Sequence, residues 1–254
     1  MRSESIHLKI EKIATDFWQL SRLSLEFPLD IERAISRTQP LFIISLPQLS
    51  ISKIECFLKE KNIPYLLNSE NKSLHGFILI QKNCGYIFIN GTDSPQERRF
   101  TLAHELAHYL IDYAIPRQKV IDLYGNEITE VLDGNREPTI EENIQGIISN
   151  ISLKPFFHLL DESELSGFDR IAVWQAEEQA DHLALELMAP QRQILSDLDS
   201  LNLKENFHYY KIKLLALLLE KYGLPVPIAQ SYSEYLAEIL TGGLSLAEEW
   251  GINL

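Results

Sequence analysis

Apolar residues recur every three or four positions from Ile6 through Ile10, Ile13, Phe17 and Leu20, so a helix is expected over 6–24, broken by Pro28. A shorter helix follows from Ile31 to about Arg37, with Asp30 placed to cap it. The pattern then changes. "LFIIS" (41–45) is strand-like, and Ser50 opens a helical stretch to about Lys61. "IPYLL" (63–67), "GFILI" (76–80) and "YIFIN" (86–90) are rich in aromatic and β-branched residues. "QKNCG" between the last two suits a hairpin turn.

At Ser94 the helical signal returns with strong local punctuation. Ser94 can cap, Pro95 takes the first helical position, and Glu97 completes a Ser-x-x-Glu capping box. Residues 113–168 are polar and acidic with short helical fragments such as 139–150. Helices are expected at about 170–188, stopped by Pro190, and at about 205–222 and 228–240, with a short turn at 245–250. Helices, a small sheet, then helices again predict an α+β fold. The expected division is 1–190 as one domain, with an insertion at 113–168, and 191–254 as a helical region packed on it.

Hydrophobic residues make up 45% of the 254 and charged residues 23%, the mix of a globular chain with a sizeable core. The first residues carry charge throughout and lack the apolar run of a secretory signal, and no apolar stretch is long enough to span a membrane. Cys56 and Cys84 lack paired spacing and read as buried thiols in a reducing compartment. Cytoplasmic location is therefore expected. The net charge of −13 argues against direct nucleic-acid binding, because phosphate recognition needs Lys and Arg. Between Asp122 and Pro190, 15 acidic residues face 3 basic ones, which accounts for nearly the whole imbalance. Such a stretch is a solvated face or a field that attracts a basic partner.

The chemistry lies in "FTLAHELAHYL" (100–110). His104 and His108 are one helical turn apart, so both imidazoles reach one point on the helix face. Glu105 stands beside that point, where a carboxylate can take a proton from a metal-activated water. The surrounding Leu102, Ala103, Leu106, Ala107 and Leu110 predict a buried helix, in which two histidines and a glutamate are costly unless paired.

A catalytic zinc site needs a third protein ligand. The pattern H-E-x-x-H-x-x-G-x-x-H would require Gly at 111 and His at 114, but the chain has Ile111 and Ala114. Another segment must supply it. In "VWQAEEQADHLALELMAP" (173–190), Glu177 and Asp181 are again one turn apart, so one can bind the metal while the other holds a ligand imidazole. Glu178 is the competing ligand. Trp174 reads as a core residue and His182 as a helix-surface one.

"RRFTLAHELAHYL" together with "AEEQADHLALELMAP" resembles the ImmA/IrrE family of zinc metallopeptidases, marked by R-x-F-T-x-A-H-E-x-x-H and a later E-x-x-A-N/D…F-A-x-x-L-L-M-P. The likeness covers about 10–112 and 170–190, including the "HGFILI" and "GYIFIN" strands. It implies a zincin-like α+β fold, with a small mixed or antiparallel sheet on the HExxH helix. It also implies His104, His108 and Glu177 as ligands of Zn2+, Glu105 as general base, and Asp181 as the partner of a ligand histidine. Manganese is the other ion that such a donor set accepts. The family's Phe-Ala is Leu183-Ala184 here, and its Leu-Leu-Met-Pro is Leu187-Met188-Ala189-Pro190. The long separation of His108 from Glu177 marks 113–168 as an inserted lid or partner-binding element.

The resemblance implies an endopeptidase that cleaves a basic helix-turn-helix repressor in a stress response. The edge strand that pairs with the substrate is expected at Tyr86, Ile87, Phe88, Ile89 and Asn90, or beside them. Oxyanion help is expected from among Tyr113, Tyr124, His158, His182 and His208. The alternative is a metal-containing regulatory or binding protein, without proteolysis, in a toxin–antitoxin or phage-defence pair.

Overall fold

The computed structural model describes residues 2–63, 71–81, 84–142, 167–199 and 206–242. It is an α+β architecture in which a small mixed sheet separates a single helix from a larger helical layer. The elements are α1 (Arg2–Ser21), α2 (Ile31–Thr38), β1 (Leu41–Leu46), α3 (Ile51–Glu60), β2 (Gly76–Gln81) and β3 (Cys84–Asn90). They continue with α4 (Pro95–His108), α5 (Ile115–Tyr124), α6 (Thr129–Leu132), α7 (Gly167–Met188), α8 (Gln191–Asp199), α9 (Phe207–Glu220) and α10 (Val226–Thr241). Among the described residues no helix is long and apolar enough to cross a membrane.

The local signals act as expected where the chemistry is local. Asp30 accepts from the Arg33 amide at the start of α2. Ser94 and Glu97 form a reciprocal capping box on α4, with Pro95 just inside the helix. Ser50 takes the capping position of α3 without a side-chain hydrogen bond. Positions 64–67, 143–150, 200–205 and 245–250, to which the pattern assigns structure, lie outside the described residues.

The strand order is β1-β3-β2, with β1 parallel and β2 antiparallel to β3. Of the two expected placements of the edge strand, at 86–90 or beside it, this order excludes the first and fits the second. Tyr86, Ile87, Phe88, Ile89 and Asn90 lie in the central strand, paired on both sides, and among the described residues their neighbours β1 and β2 are the edges, with β2 the one beside the site helix. The spacing of hydrophobic residues marks strands but carries no information on pairing order. One face of the sheet puts Ile78, Ile87 and Ile89 into the main core; the other puts Phe77, Leu79 and Phe88 against Leu49, Ile54 and Leu58 around α3.

The main core gathers α1, α2, α4, α7, α9 and α10. Ala103 and Ala107 of α4 and Ala180 and Ala184 of α7 are fully buried within it. Small side chains let helix backbones approach closely, which brings the site residues of α4 and α7 together. The Trp18 indole donates to the Leu187 carbonyl at 3.0 Å and fastens α1 to α7. Leu214, Leu218, Tyr222 and Leu236, from beyond position 191, are buried in the same core.

Three apolar expectations fail. Trp174 is 63% exposed rather than buried, and both Cys56 and Cys84 are exposed. None of the three departures affects the core described above.

Candidate metal centre

α4 does not stop at His108. It continues through a π-helical turn at Tyr109–Ala114 into α5. Pro116 supplies a reason. Its ring would press on the Asp112 carbonyl four residues back, and it has no N–H to offer. A wider turn relieves both problems, and the Ile115 amide reaches five residues back to the Leu110 carbonyl. Such turns are frequent beside functional sites.

Three donor groups converge at the α4–α7 contact. His104 Nε2 and His108 Nε2 are 3.1 Å apart, and Glu177 Oε2 lies 3.2 Å from the first and 3.5 Å from the second. The opposite ring nitrogens are both occupied. His104 Nδ1 meets Asp181 Oδ1 at 2.9 Å, and His108 Nδ1 meets Asp112 Oδ2 at 2.9 Å. A carboxylate at Nδ1 fixes the proton there and leaves Nε2 bare. Two Nε2 atoms and a carboxylate oxygen this close together call for a cation, a proton or a metal ion, among them.

The spacing fits a metal. Ligands at ordinary zinc distances in a tetrahedral site lie about 3.3 Å apart, close to the three separations found. Electrostatics agrees. Burial opposes charge on His104, but hydrogen bonds to Asp181 and Glu177 and the charge of Glu105 outweigh it, raising its pKa to about 10. His108 is likewise raised to about 9, against burial, by Asp112 and Glu177. Hydrogen bonds to the two histidines hold the Glu177 carboxyl well below the usual range. The pocket therefore attracts positive charge.

Glu105 points to the same place from a different environment. It is 7% exposed, and burial pushes its pKa up against the pull of His104 and His108. Gly76, at the start of β2, leaves the room for it. A side-chain carbon there would come within 2.6 Å of Glu105 Oε1 and 2.4 Å of Thr101 Cγ2. Edge strand and site helix therefore meet at a glycine directly over the acid. Around them opens a cleft of about 490 Å³, bordered by His75, Gly76, Phe100, Pro227 and Ile228 as well as the donors.

His104, His108 and Glu177 thus stand together with Glu105 and Asp181, whereas Glu178 is exposed and not among the converging groups. Asp112 was not expected from the sequence, although a carboxylate one turn beyond the second histidine is a readable signal. His75 was also missed. Of the groups expected to help an oxyanion, Tyr113, Tyr124, His182 and His208 do not border the cleft, and His158 lies outside the described residues.

An α+β fold with the HExxH helix packed against a small sheet is the zincin-like arrangement. Residues 62–137 match the family Peptidase_M78, described as IrrE N-terminal-like domain. The segment that carries His104, Glu105 and His108 thus falls in the ImmA/IrrE family of metallopeptidases. The matched region runs past position 113, where the insertion was expected to begin, and ends before Glu177. A comparison with curated proteins finds no match.

Proposed function

We propose that the protein is a zinc-dependent endopeptidase that cleaves a protein partner in the cytoplasm. The observation that carries this reading is the meeting of three metal donors and a buried, fourth-side carboxylate in a cleft beside a strand edge. His104, His108 and Glu177 would hold the ion. A divalent ion so held acidifies water and polarises a carbonyl. Glu105 receives the proton lost by the attacking water and returns it to the leaving nitrogen, so that both peptide fragments depart neutralised. Asp112 and Asp181 keep the two imidazoles oriented.

Among the described residues the outer edge of β2 pairs with nothing, and it runs beside Glu105. An extended peptide added to that edge would pass over the donors. A basic helix-turn-helix repressor is the substrate class that the family resemblance suggests, and the acidic stretch between Asp122 and Pro190 suits such a partner.

Replacing Glu105 with Gln tests the reading. The amide cannot take the proton, so cleavage of a co-expressed partner should fall about a thousandfold while metal content stays unchanged. Partner processing that survives this change would exclude proteolysis here and leave a metal-containing binding protein.

A further inference from the structure

His75 occupies an odd position for a surface histidine. Its side chain is 79% exposed, yet the ring is held firmly: Nδ1 lies 2.7 Å from Asp93 Oδ2. Asp93 is itself only 12% exposed, and its other oxygen accepts from Asn90 Nδ2 at 2.7 Å. The Asn90 side-chain oxygen in turn accepts from the Thr92 hydroxyl at 2.8 Å. The backbone is anchored as well, since the His75 carbonyl accepts from the Asn90 amide at 2.9 Å. An exposed histidine–carboxylate contact adds little to stability and costs side-chain freedom, so stability does not account for the arrangement.

The location supplies a reason. His75 immediately precedes Gly76, the residue that lies over Glu105, and it borders the same cleft as the metal donors. A carboxylate at Nδ1 favours the neutral tautomer that carries its proton there, in which Nε2 is an acceptor. His75, Gly76 and Glu105 line one cleft, so a peptide added to the β2 edge would lie beside this nitrogen as well as beside Glu105. Amide N–H groups along that peptide are the donors that a bare Nε2 takes.

We infer that His75, oriented by Asp93, is a substrate-contacting histidine of this cleft, whose Nε2 accepts a hydrogen bond from the backbone of a bound peptide and which takes no part in holding the metal. The inference rests on the metallopeptidase reading.

Two probes separate the two ideas. Acetohydroxamate binds a catalytic ion alone, and a dipeptidyl hydroxamate adds a peptide backbone. Both are titrated calorimetrically into the zinc-loaded full-length protein and into the variants His75→Ala, His75→Gln and His75→Asn. Glutamine places its amide where Nε2 stood, whereas asparagine places it where Nδ1 stood. The dipeptidyl probe should bind the unaltered protein more tightly than acetohydroxamate. His75→Ala and His75→Asn should each weaken it about tenfold, while His75→Gln retains most of the affinity. Acetohydroxamate affinity and the thermal midpoint should not change in any variant. Rescue by asparagine instead of glutamine would assign His75 a purely structural tether and overturn the inference. Undiminished dipeptidyl binding by His75→Ala would overturn it too. If acetohydroxamate fails to bind the zinc-loaded protein at all, the metal reading falls, and the inference falls with it.

Discussion

Asp112 meets His108 Nδ1 and so favours the tautomer whose Nε2 can face a metal ion. On the proposed reading that carboxylate tunes the ligand without meeting the metal. Asp112→Ala should weaken zinc binding by about 10–100-fold, measured by competition with a chromophoric chelator, with little change in secondary structure. Asp112 belongs to the π-helical turn, so its position depends on how Pro116 reshapes the helix. His104 has its own holder in Asp181, which the spacing in "AEEQAD" did disclose. Spacing from Asp181 and the family resemblance favoured Glu177 over its neighbour Glu178, and the rotation of α7 against α4 turns Glu177 to the two histidines.

At the level of elements, legibility follows the range of the forces. α4 was readable because its capping box, its leading proline and its apolar face all lie within a few residues. The strands were readable as strands, but their order was not, since pairing is decided by contacts between distant segments. Trp174 misled for the same reason: a large aromatic on a helix does not announce which side faces the core. The contact between β2 and α4 carries a sharp expectation. Gly76→Ala inserts a methyl group against Glu105 and Thr101, so it should cut peptide hydrolysis about 10–100-fold by displacing the carboxylate. Steady-state kinetics beside thermal unfolding would show whether activity falls further than stability does.

A second element-level expectation concerns α8. Asp197 accepts from Lys221 Nζ at 2.6 Å and the Tyr222 hydroxyl at 2.7 Å, joining α8 to the end of α9. Burial raises its pKa, but those hydrogen bonds together with Gln193 outweigh it and the net shift is downward. A carboxyl with a folded pKa below its unfolded value, about 3.9, stabilises above that pH and loses the contribution as pH falls through the folded value. The thermal midpoint should therefore drop more steeply below about pH 4 than in Asp197→Asn, and scans in a pH series would reveal the difference.

Across the whole molecule, the helices beyond position 191 share one core with the helices that carry His104, His108 and Glu177. Leu218 on α9 is fully buried there, some forty residues after Glu177 in sequence. Leu218→Ala should cost about 2–5 kcal/mol. Chemical denaturation followed by circular dichroism and by metal release should then shift together. Two separated transitions would show instead that the C-terminal helices fold apart from the site. Nothing in the sequence between these helices marks a linker, and the shared core gives the physical reason.

Arg99 of α4 donates to the Gly223 carbonyl, so the site helix grips the turn that leads into Pro225, Pro227 and Ile228. Those three form an apolar wall of the cleft, from a part of the chain outside the matched segment. The groups that would break a bond and the surface that would judge which side chain sits beside it are thus drawn from separate stretches. Substitutions confined to that wall offer a route to retuning selectivity, like exchanging the bit on a drill whose motor is left alone.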